Sequence, residues 1–132
     1  MTEAPPAALP PHTADAFHRG RFVVVQPQRA GPRAGMDAMM LAAAVPASFA
    51  GRLADFGAGA GAAGLAVISR CEGATALLVE RAPEMAAFAE ATLTHPANRH
   101  LAGRAAVLRA DVTLTGRARA AAGLADNAFD FA

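Results

Sequence analysis

Apolar and polar residues alternate along the chain in blocks that change from strand-like to helix-like spacing and back again. Short apolar runs bounded by turn residues predict buried strands over residues 53–56, 74–79, 105–110 and 129–132. Helical spacing and helix-start signals between these runs predict helices over residues 65–70, 83–92 and 116–124. A strict alternation of strand and helix predicts an α/β fold with a parallel sheet and right-handed crossovers.

Three further segments precede this alternating region. The run from Val23 to Val25, flanked by four arginines, predicts a short strand or hairpin within residues 17–35. Asp37 as an N-cap and Pro46 as a stop predict a short helix between them. Residues 1–16 hold four prolines and little that could pack, so we expect a mobile arm there.

Composition restricts the class of protein but does not identify it. A chain of 132 residues fits one domain, and its net charge of +1 argues neither for nor against a nucleic-acid partner. Its single cysteine, Cys71, excludes an internal disulfide, and no Cys/His spacing is typical of a metal site. The sequence contains neither a membrane-spanning run nor a signal-peptide pattern, so we expect a cytoplasmic protein without a metal.

The strongest local motif is the glycine-rich stretch Asp55-Phe-Gly57-Ala-Gly59-Ala-Gly61-Ala-Ala-Gly64, between a predicted strand and a predicted helix. Glycines permit a tight turn and let the backbone approach a ligand closely. The helix that follows presents unpaired N–H groups and the positive end of its dipole. In parallel sheets, ligands bind beyond the carboxyl ends of the strands. Because Glu80 and Asp111 also follow predicted strands, we expect a nucleotide-type ligand at this edge.

Two kinds of nucleotide cofactor compete for this loop. The run from Gly59 to Gly64 satisfies the dinucleotide fingerprint, and Glu80 follows Gly59 at about the 20-residue spacing of a ribose-binding carboxylate. An NAD(P)-binding domain of an oxidoreductase is therefore one hypothesis. Against it, Asp55 stands where it would repel a pyrophosphate and attract an ammonium group, and Asp111 could accept a hydrogen bond from an adenine amino group. Both cofactors remain open at this point.

The remaining polar and sulfur-containing side chains have simpler interpretations. The arginines at positions 19, 21, 29 and 33 could form a phosphate-contacting patch, but a solvated strand edge is the favoured interpretation. The Met39–Met40 pair is expected in the core, and Cys71 is expected to serve packing. None of the four histidines has metal spacing or a triad partner in the sequence.

These motifs resemble those of a known family. The stretch Leu53-Ala-Asp55-Phe-Gly57-Ala-Gly59-Ala-Gly61 resembles the first motif of class I S-adenosylmethionine-dependent methyltransferases. Val79-Glu80-Arg81 resembles their second motif, and Arg109-Ala-Asp111-Val112 resembles their third. Upstream, Phe17-His-Arg-Gly-Arg-Phe22 and Gly35-Met-Asp37-Ala-Met-Met-Leu41 resemble the lead-in of bacterial tRNA (adenine-N6) methyltransferases of the Asn-Pro-Pro-Tyr/Phe type. The resemblance extends over residues 17–132.

The resemblance implies a Rossmann-like, doubly wound parallel sheet, S-adenosyl-L-methionine as cofactor, and N6-methylation of adenine in tRNA. Asp55 would lie near the cofactor's amino group, Glu80 would hold the ribose hydroxyls, and Asp111 with Val112 would hold the adenine. Asp37 would lie near the methionine end. The full set of implied cofactor-binding residues is Asp37, Asp55, Gly57, Ala58, Gly59, Gly61, Glu80, Arg81, Asp111 and Val112.

Two positions depart from the family pattern. Ala60 stands where relatives often carry Ser or Thr, so a hydroxyl contact is absent. Phe129-Asp-Phe-Ala132 resembles the strand that precedes the Asn-Pro-Pro motif, so residues 17–132 are expected to form a cofactor-binding N-terminal part without catalytic residues. An unpaired last strand could also support self-association, and a non-catalytic interaction module is a third hypothesis.

Overall fold

The computed structural model describes residues 9–28, 33–125 and 128–132. The strands are β1 (His12–Phe17), β2 (Phe22–Pro27), β3 (Gly51–Phe56), β4 (Ala74–Val79) and β5 (Ala105–Leu108). The helices are α1 (Met36–Ala43), α2 (Ala62–Arg70), α3 (Pro83–Thr94), α4 (Arg99–Ala102) and α5 (Gly116–Ala121). A 3₁₀ turn, Pro96–Asn98, lies between α3 and α4.

The central sheet is parallel, with strand order β3-β4-β5. Helices α2 and α3 are the two crossovers, which gives the Rossmann-like α/β arrangement that the alternating sequence pattern predicts. Phe131 forms an isolated parallel bridge to Leu53 on the other side of β3. The carboxyl ends of β3 and β4 therefore meet at one edge, directly before the glycine-rich loop and α3.

The core fills the space between the sheet and its two crossover helices. Helix α3 buries Met85, Phe88 and Thr92, which is the face that its helical spacing predicts. On α2, small residues allow close packing, and the backbone of Gly64 lies directly against the Leu78 side chain. Full burial of a side chain such as Phe88 stabilises the fold by about 1.5–3 kcal/mol.

A β-hairpin formed by β1 and β2 packs against α3 through buried polar side chains. The Thr92 hydroxyl accepts a hydrogen bond from Val25 N at 3.0 Å. The Asn98 side chain accepts from Val23 N at 2.8 Å and donates to Val23 O at 2.6 Å. These side chains take the place of a neighbouring strand. The backbone groups of Val23 and Val25 therefore have hydrogen-bond partners although β2 does not join the central sheet.

The hairpin begins earlier than the sequence predicted. Residues 12–16, which we expected in a mobile arm, belong to β1 and pair with β2. The pairing is reinforced by Asp15, whose Oδ2 accepts from Gln26 Nε2 at 2.6 Å and from Thr13 Oγ1 at 2.7 Å. These partners are supplied by the folded hairpin, so local composition did not indicate them. Residues 1–8 of the expected arm lie outside the described residues.

Helix α1 differs from its prediction at its first turn and in its exposed face. Asp37 is not the N-cap; the cap is Gly35, and Asp37 Oδ1 accepts from Gly35 N at 3.2 Å from inside the first turn. Met39 is partly buried against the core, but the expectation that Met40 is buried was wrong, because 69% of Met40 is exposed. Among the described elements, α1 packs chiefly against α2, and the side of α1 that carries Met36 and Met40 is exposed.

The C-terminal elements are shorter than predicted. Strand β5 ends at Leu108, α5 ends at Ala121, and the expected strand over residues 129–132 is reduced to the bridge at Phe131. Asp130 is the local reason, because its Oδ2 accepts from Arg52 N at 2.8 Å. The Asp130 side chain thus binds the Arg52 N–H group, which a fourth strand would need for its backbone hydrogen bonds with β3. Within the described residues, no helix is long and apolar enough to cross a membrane.

Candidate functional site

A cleft of about 230 Å³ opens at the carboxyl end of β3. Helix α1, the glycine-rich loop, the start of α2 and Met85 of α3 form its walls. Half of the predicted cofactor-binding residues line it, namely Asp37, Asp55, Gly57, Ala58 and Gly59. The cleft therefore lies where ligands bind in parallel α/β sheets.

The glycine-rich loop folds over the end of β4. The backbone N–H groups of Gly57 and Ala58 both donate to Val79 O, at 2.9 and 3.0 Å. Gly57, Gly59 and Gly61 have φ values of 72°, 57° and 100°, a region that residues with a Cβ rarely adopt. The glycines thus allow the chain to turn sharply from β3 into α2 and to line the cleft with bare backbone.

Asp55 sits at the junction of the cleft and helix α2. Its Oδ2 accepts a hydrogen bond from Gly64 N at 3.0 Å, so a carboxylate occupies the positive end of the helix. Burial is the largest cause that raises the pKa of Asp55, and the negative charge of Glu80 raises it further. The Gly64 hydrogen bond acts in the opposite direction. A cation in the cleft would favour the ionised form of Asp55.

Glu80 links the glycine-rich loop to the start of α3. Its Oε1 accepts from Gly59 N at 3.0 Å, and its Oε2 accepts from Ala82 N at 2.9 Å. Two backbone donors from different segments therefore fix the orientation of this carboxylate. Each carboxylate oxygen has capacity for about two hydrogen bonds, so each can accept a further donor from a ligand.

Asp111 and Arg81 lie together beyond Glu80. Arg81 Nη1 is 3.9 Å from Asp111 Oδ2, and Asp111 Oδ1 accepts from Thr113 Oγ1 at 2.6 Å and from Thr113 N at 2.9 Å. The side-chain bond from Thr113 is the main reason that the pKa of Asp111 is lowered, and the Arg81 charge lowers it further. Val112 is half-buried nearby against a second, smaller apolar cluster.

Five of the ten predicted site residues do not line the cleft. Gly61 is the N-cap of α2 and lies against Leu78, while Glu80 accepts a hydrogen bond from Gly59 N of the loop. Arg81, Asp111 and Val112 lie outside its lining. For all ten residues, cofactor contact remains a prediction.

The cleft also has lining residues that the sequence did not identify as site residues. They are Arg33, Ala34, Ala38, Leu41, Phe56, Ala60, Ala62, Ala63 and Met85. Met85 was assigned to the core by its helical spacing; it is buried, but its Cε also approaches the Gly59 backbone. Apolar spacing could not distinguish a core residue from one that closes the floor of a cleft.

The four arginines considered as a phosphate-contacting patch, for which a solvated strand edge was the favoured interpretation, do not form one patch among the described residues. Arg33 lies at the cleft and donates to Asp15 Oδ2 at 3.2 Å, to Thr13 Oγ1 at 3.2 Å and to Pro27 O. Arg19 and Arg21 belong to the turn at the other end of β2, and Arg29 lies outside the described residues. Arg33 therefore braces the hairpin rather than joining a common surface with the other two.

Comparisons with known proteins find similarity to a solved structure. No protein-family model matches the chain, and no curated protein matches it. A crystal structure of a predicted O-methyltransferase from Agrobacterium tumefaciens is similar to 70% of the chain, with 52% sequence identity and a TM-score of 0.66. The chain spans 44% of that protein's length. This likeness agrees with a Rossmann-like methyltransferase fold.

Proposed function

We propose that the chain is the cofactor-binding part of a methyltransferase and that its cleft binds S-adenosyl-L-methionine. The fold and the 52% identity to a predicted O-methyltransferase support the reaction class. The observation that carries the cofactor assignment is that two carboxylates, Asp55 and Glu80, occupy the backbone donors of the glycine-rich loop.

This arrangement favours a nucleoside with an ammonium group over a dinucleotide. A pyrophosphate at a Rossmann loop needs free N–H groups and the positive end of the helix. Here Gly59 N donates to Glu80, and Gly64 N donates to Asp55. A pyrophosphate at Gly59 N or Gly64 N would have to displace these bonds, and at the neighbouring N–H groups of α2 it would approach the buried carboxylate of Asp55. The geometry therefore argues against the NAD(P) hypothesis that the glycine fingerprint left open.

Each part of the proposed cofactor has a partner in the chain. Asp55 would attract the ammonium group of the methionine moiety, and Glu80 would accept hydrogen bonds from the ribose hydroxyls. Asp111 and Val112 would lie by the adenine. Phe56 and Met85 offer apolar walls to the cleft. When bound, the cofactor supplies a methyl group activated by its sulfonium.

The proposed acceptor is the N6 amino group of adenine in tRNA. This assignment is supported by the resemblance of residues 17–22 and 35–41 to the lead-in of the tRNA methyltransferases. The second segment includes part of α1 that lines the cleft. An oxygen acceptor is the alternative, since the Agrobacterium protein is described as a predicted O-methyltransferase. No residue of this chain is assigned to catalysis.

A thermal-shift titration with S-adenosylhomocysteine and, separately, NAD tests the cofactor assignment. A ligand at about 100 times its dissociation constant adds about 2.7 kcal/mol to the free energy of unfolding. We expect S-adenosylhomocysteine to raise the Tm by the corresponding amount and NAD to leave it unchanged. A shift with NAD alone would replace the methyltransferase proposal by the oxidoreductase hypothesis.

A further inference from the structure

Two basic segments that are far apart in the sequence are linked through the buried side chain of Asn98. The Asn98 side chain holds Val23, the second residue of β2, through hydrogen bonds in both directions. These bonds join residues separated by 75 positions in the sequence. The hairpin turn comes directly before β2 and α4 comes directly after Asn98, so both segments continue from this bonded pair.

We name this surface the basic pole. It consists of His18, Arg19 and Arg21 from the hairpin turn and Arg99 and His100 from α4. All of these except His18, which is half-buried against the Phe22 ring, are exposed. The pole thus contains three exposed guanidinium groups and two imidazoles, all within five residues in sequence of the bonded pair Val23 and Asn98.

The arginines of the basic pole differ from most other arginines of the chain in the bonding of their guanidinium groups. Six arginines elsewhere bind backbone carbonyls or carboxylates, namely Arg33, Arg52, Arg70, Arg81, Arg104 and Arg119. Within residues 9–28, 33–125 and 128–132, no side chain forms a hydrogen bond or ion pair with the guanidinium of Arg19, Arg21 or Arg99. These groups are therefore solvated and available to a partner outside the chain.

The backbone of the turn is held in a conformation that its side chains disfavour. His18 and Arg19 have φ values of 49° and 57°, although both carry a Cβ. Glycine or asparagine is the usual occupant of such positions. A strained turn that retains a cationic side chain is a reason to look for a function of that side chain.

We propose that the basic pole binds the phosphate backbone of a nucleic acid. Arginine forks match phosphate geometry, and the pole offers them without competing acidic partners. The large exposed apolar residues of the described chain, Met36, Met40, Leu41, Phe56 and Phe131, all lie outside the pole. A surface without apolar anchors is less suited to a lipid membrane than to a polyphosphate chain.

The proposal rests on the nucleic-acid acceptor in the proposed function, but not on the cofactor. Helix α3 runs from the cleft, where Met85 lies, toward Asn98 and the pole. Its 12 residues span about 18 Å. A folded RNA is long enough to contact the pole while one of its bases reaches the cleft, whereas a small-molecule acceptor is not.

Two double variants with the same charge change test the proposal. Arg21→Gln with Arg99→Gln removes two charges from the pole, and Arg109→Gln with Arg117→Gln removes two exposed charges elsewhere. Binding of a fluorescein-labelled RNA stem-loop is measured by anisotropy over a range of salt, without cofactor. We expect the pole variant to lose about tenfold in affinity at low salt and its salt slope to fall by about 2. The control pair should match the wild type.

One further variant distinguishes an effect on the stability of the turn from an effect on RNA binding. Arg19→Asn relieves the disfavoured backbone conformation and removes the charge, so we expect an equal or higher Tm together with weaker RNA binding. The proposal is overturned if the two double variants weaken binding equally, if the wild type binds no RNA, or if only phosphatidylserine vesicles bind. The S-adenosylhomocysteine shift, measured on the same proteins, reports the cofactor assignment independently of these results.

Discussion

Replacing Gly64 with alanine is expected to destabilise the fold by about 1–3 kcal/mol and to separate Asp55 from helix α2. A Cβ at this position would overlap Leu78 Cδ2 and would lie 3.2 Å from Asp55 Oδ2. Leu78 is fully buried and cannot move aside without displacing other core residues. Urea denaturation of the variant and the wild type measures the loss.

Gly103→Ala is the matched control for this substitution. Gly103 ends α4 with φ of −74°, and a Cβ there would meet nothing within 4 Å. Its substitution should leave the free energy of unfolding unchanged or slightly raise it. Equal denaturation midpoints for the Gly64 and Gly103 variants would mean that the close packing of α2 on β4 is not needed for stability.

Replacing Glu80 with glutamine is expected to weaken S-adenosylhomocysteine binding by about ten- to a hundredfold. Hydrogen bonds to a charged group contribute about 1.5–3 kcal/mol, and the ribose hydroxyls are proposed to donate to this carboxylate. In addition, glutamine cannot accept from both Gly59 N and Ala82 N with separate oxygens. Its amide nitrogen would face one of those donors, which loosens the loop.

Glu90→Gln is the control for the loss of one negative charge, because it makes the same substitution at an exposed position on α3. The Thr94 hydroxyl donates to the backbone carbonyl of Glu90, so this hydrogen bond does not involve the Glu90 carboxylate. Isothermal titration should give the wild-type affinity for this variant. Wild-type affinity in Glu80→Gln as well would contradict the proposed contact between Glu80 and the ribose.

The main elements of the fold could be predicted because their signals are local. The bounds of β4 agree with its apolar run, and the buried face of α3 agrees with the spacing of Met85, Phe88 and Thr92. Strand β1 was missed because its stability comes from pairing with β2 and from Asp15 contacts across the hairpin. Such contacts depend on residues brought together only after folding.

The site was predictable in position but not in detail. The sequence placed Asp55 and the glycines at a strand end, and the structure brings Asp55, Gly57 and Gly59 to the cleft. It did not indicate that Asp55 binds Gly64 N or that Glu80 binds Gly59 N, because these bonds depend on side-chain direction. Those two bonds are the features that distinguish the competing cofactors.

The last predicted strand shows how one side chain can override an apolar run. The sequence from Phe129 to Ala132 reads as a strand, but the structure has one bridge there, between Phe131 and Leu53. Asp130 accepts from the Arg52 backbone and also packs against Gly51. Period and hydrophobicity alone could not indicate this competition between a side chain and the backbone ladder.

The most direct test of the central claim is the pH dependence of S-adenosylhomocysteine binding to the wild type and to Asp55→Asn. Burial raises the pKa of Asp55 above its usual 3.8, and an ammonium group beside it would lower that pKa. Linkage then requires the wild-type affinity to rise as pH increases toward the raised pKa and to stay constant above it. An α-amino group keeps its charge up to about pH 7, so the ligand does not cause this change.

Calorimetric titrations should show this rise in the wild type and its absence in Asp55→Asn, which should bind more weakly above the raised pKa. Equal affinities of the two proteins at every pH would contradict the claim that Asp55 receives the cofactor's ammonium group.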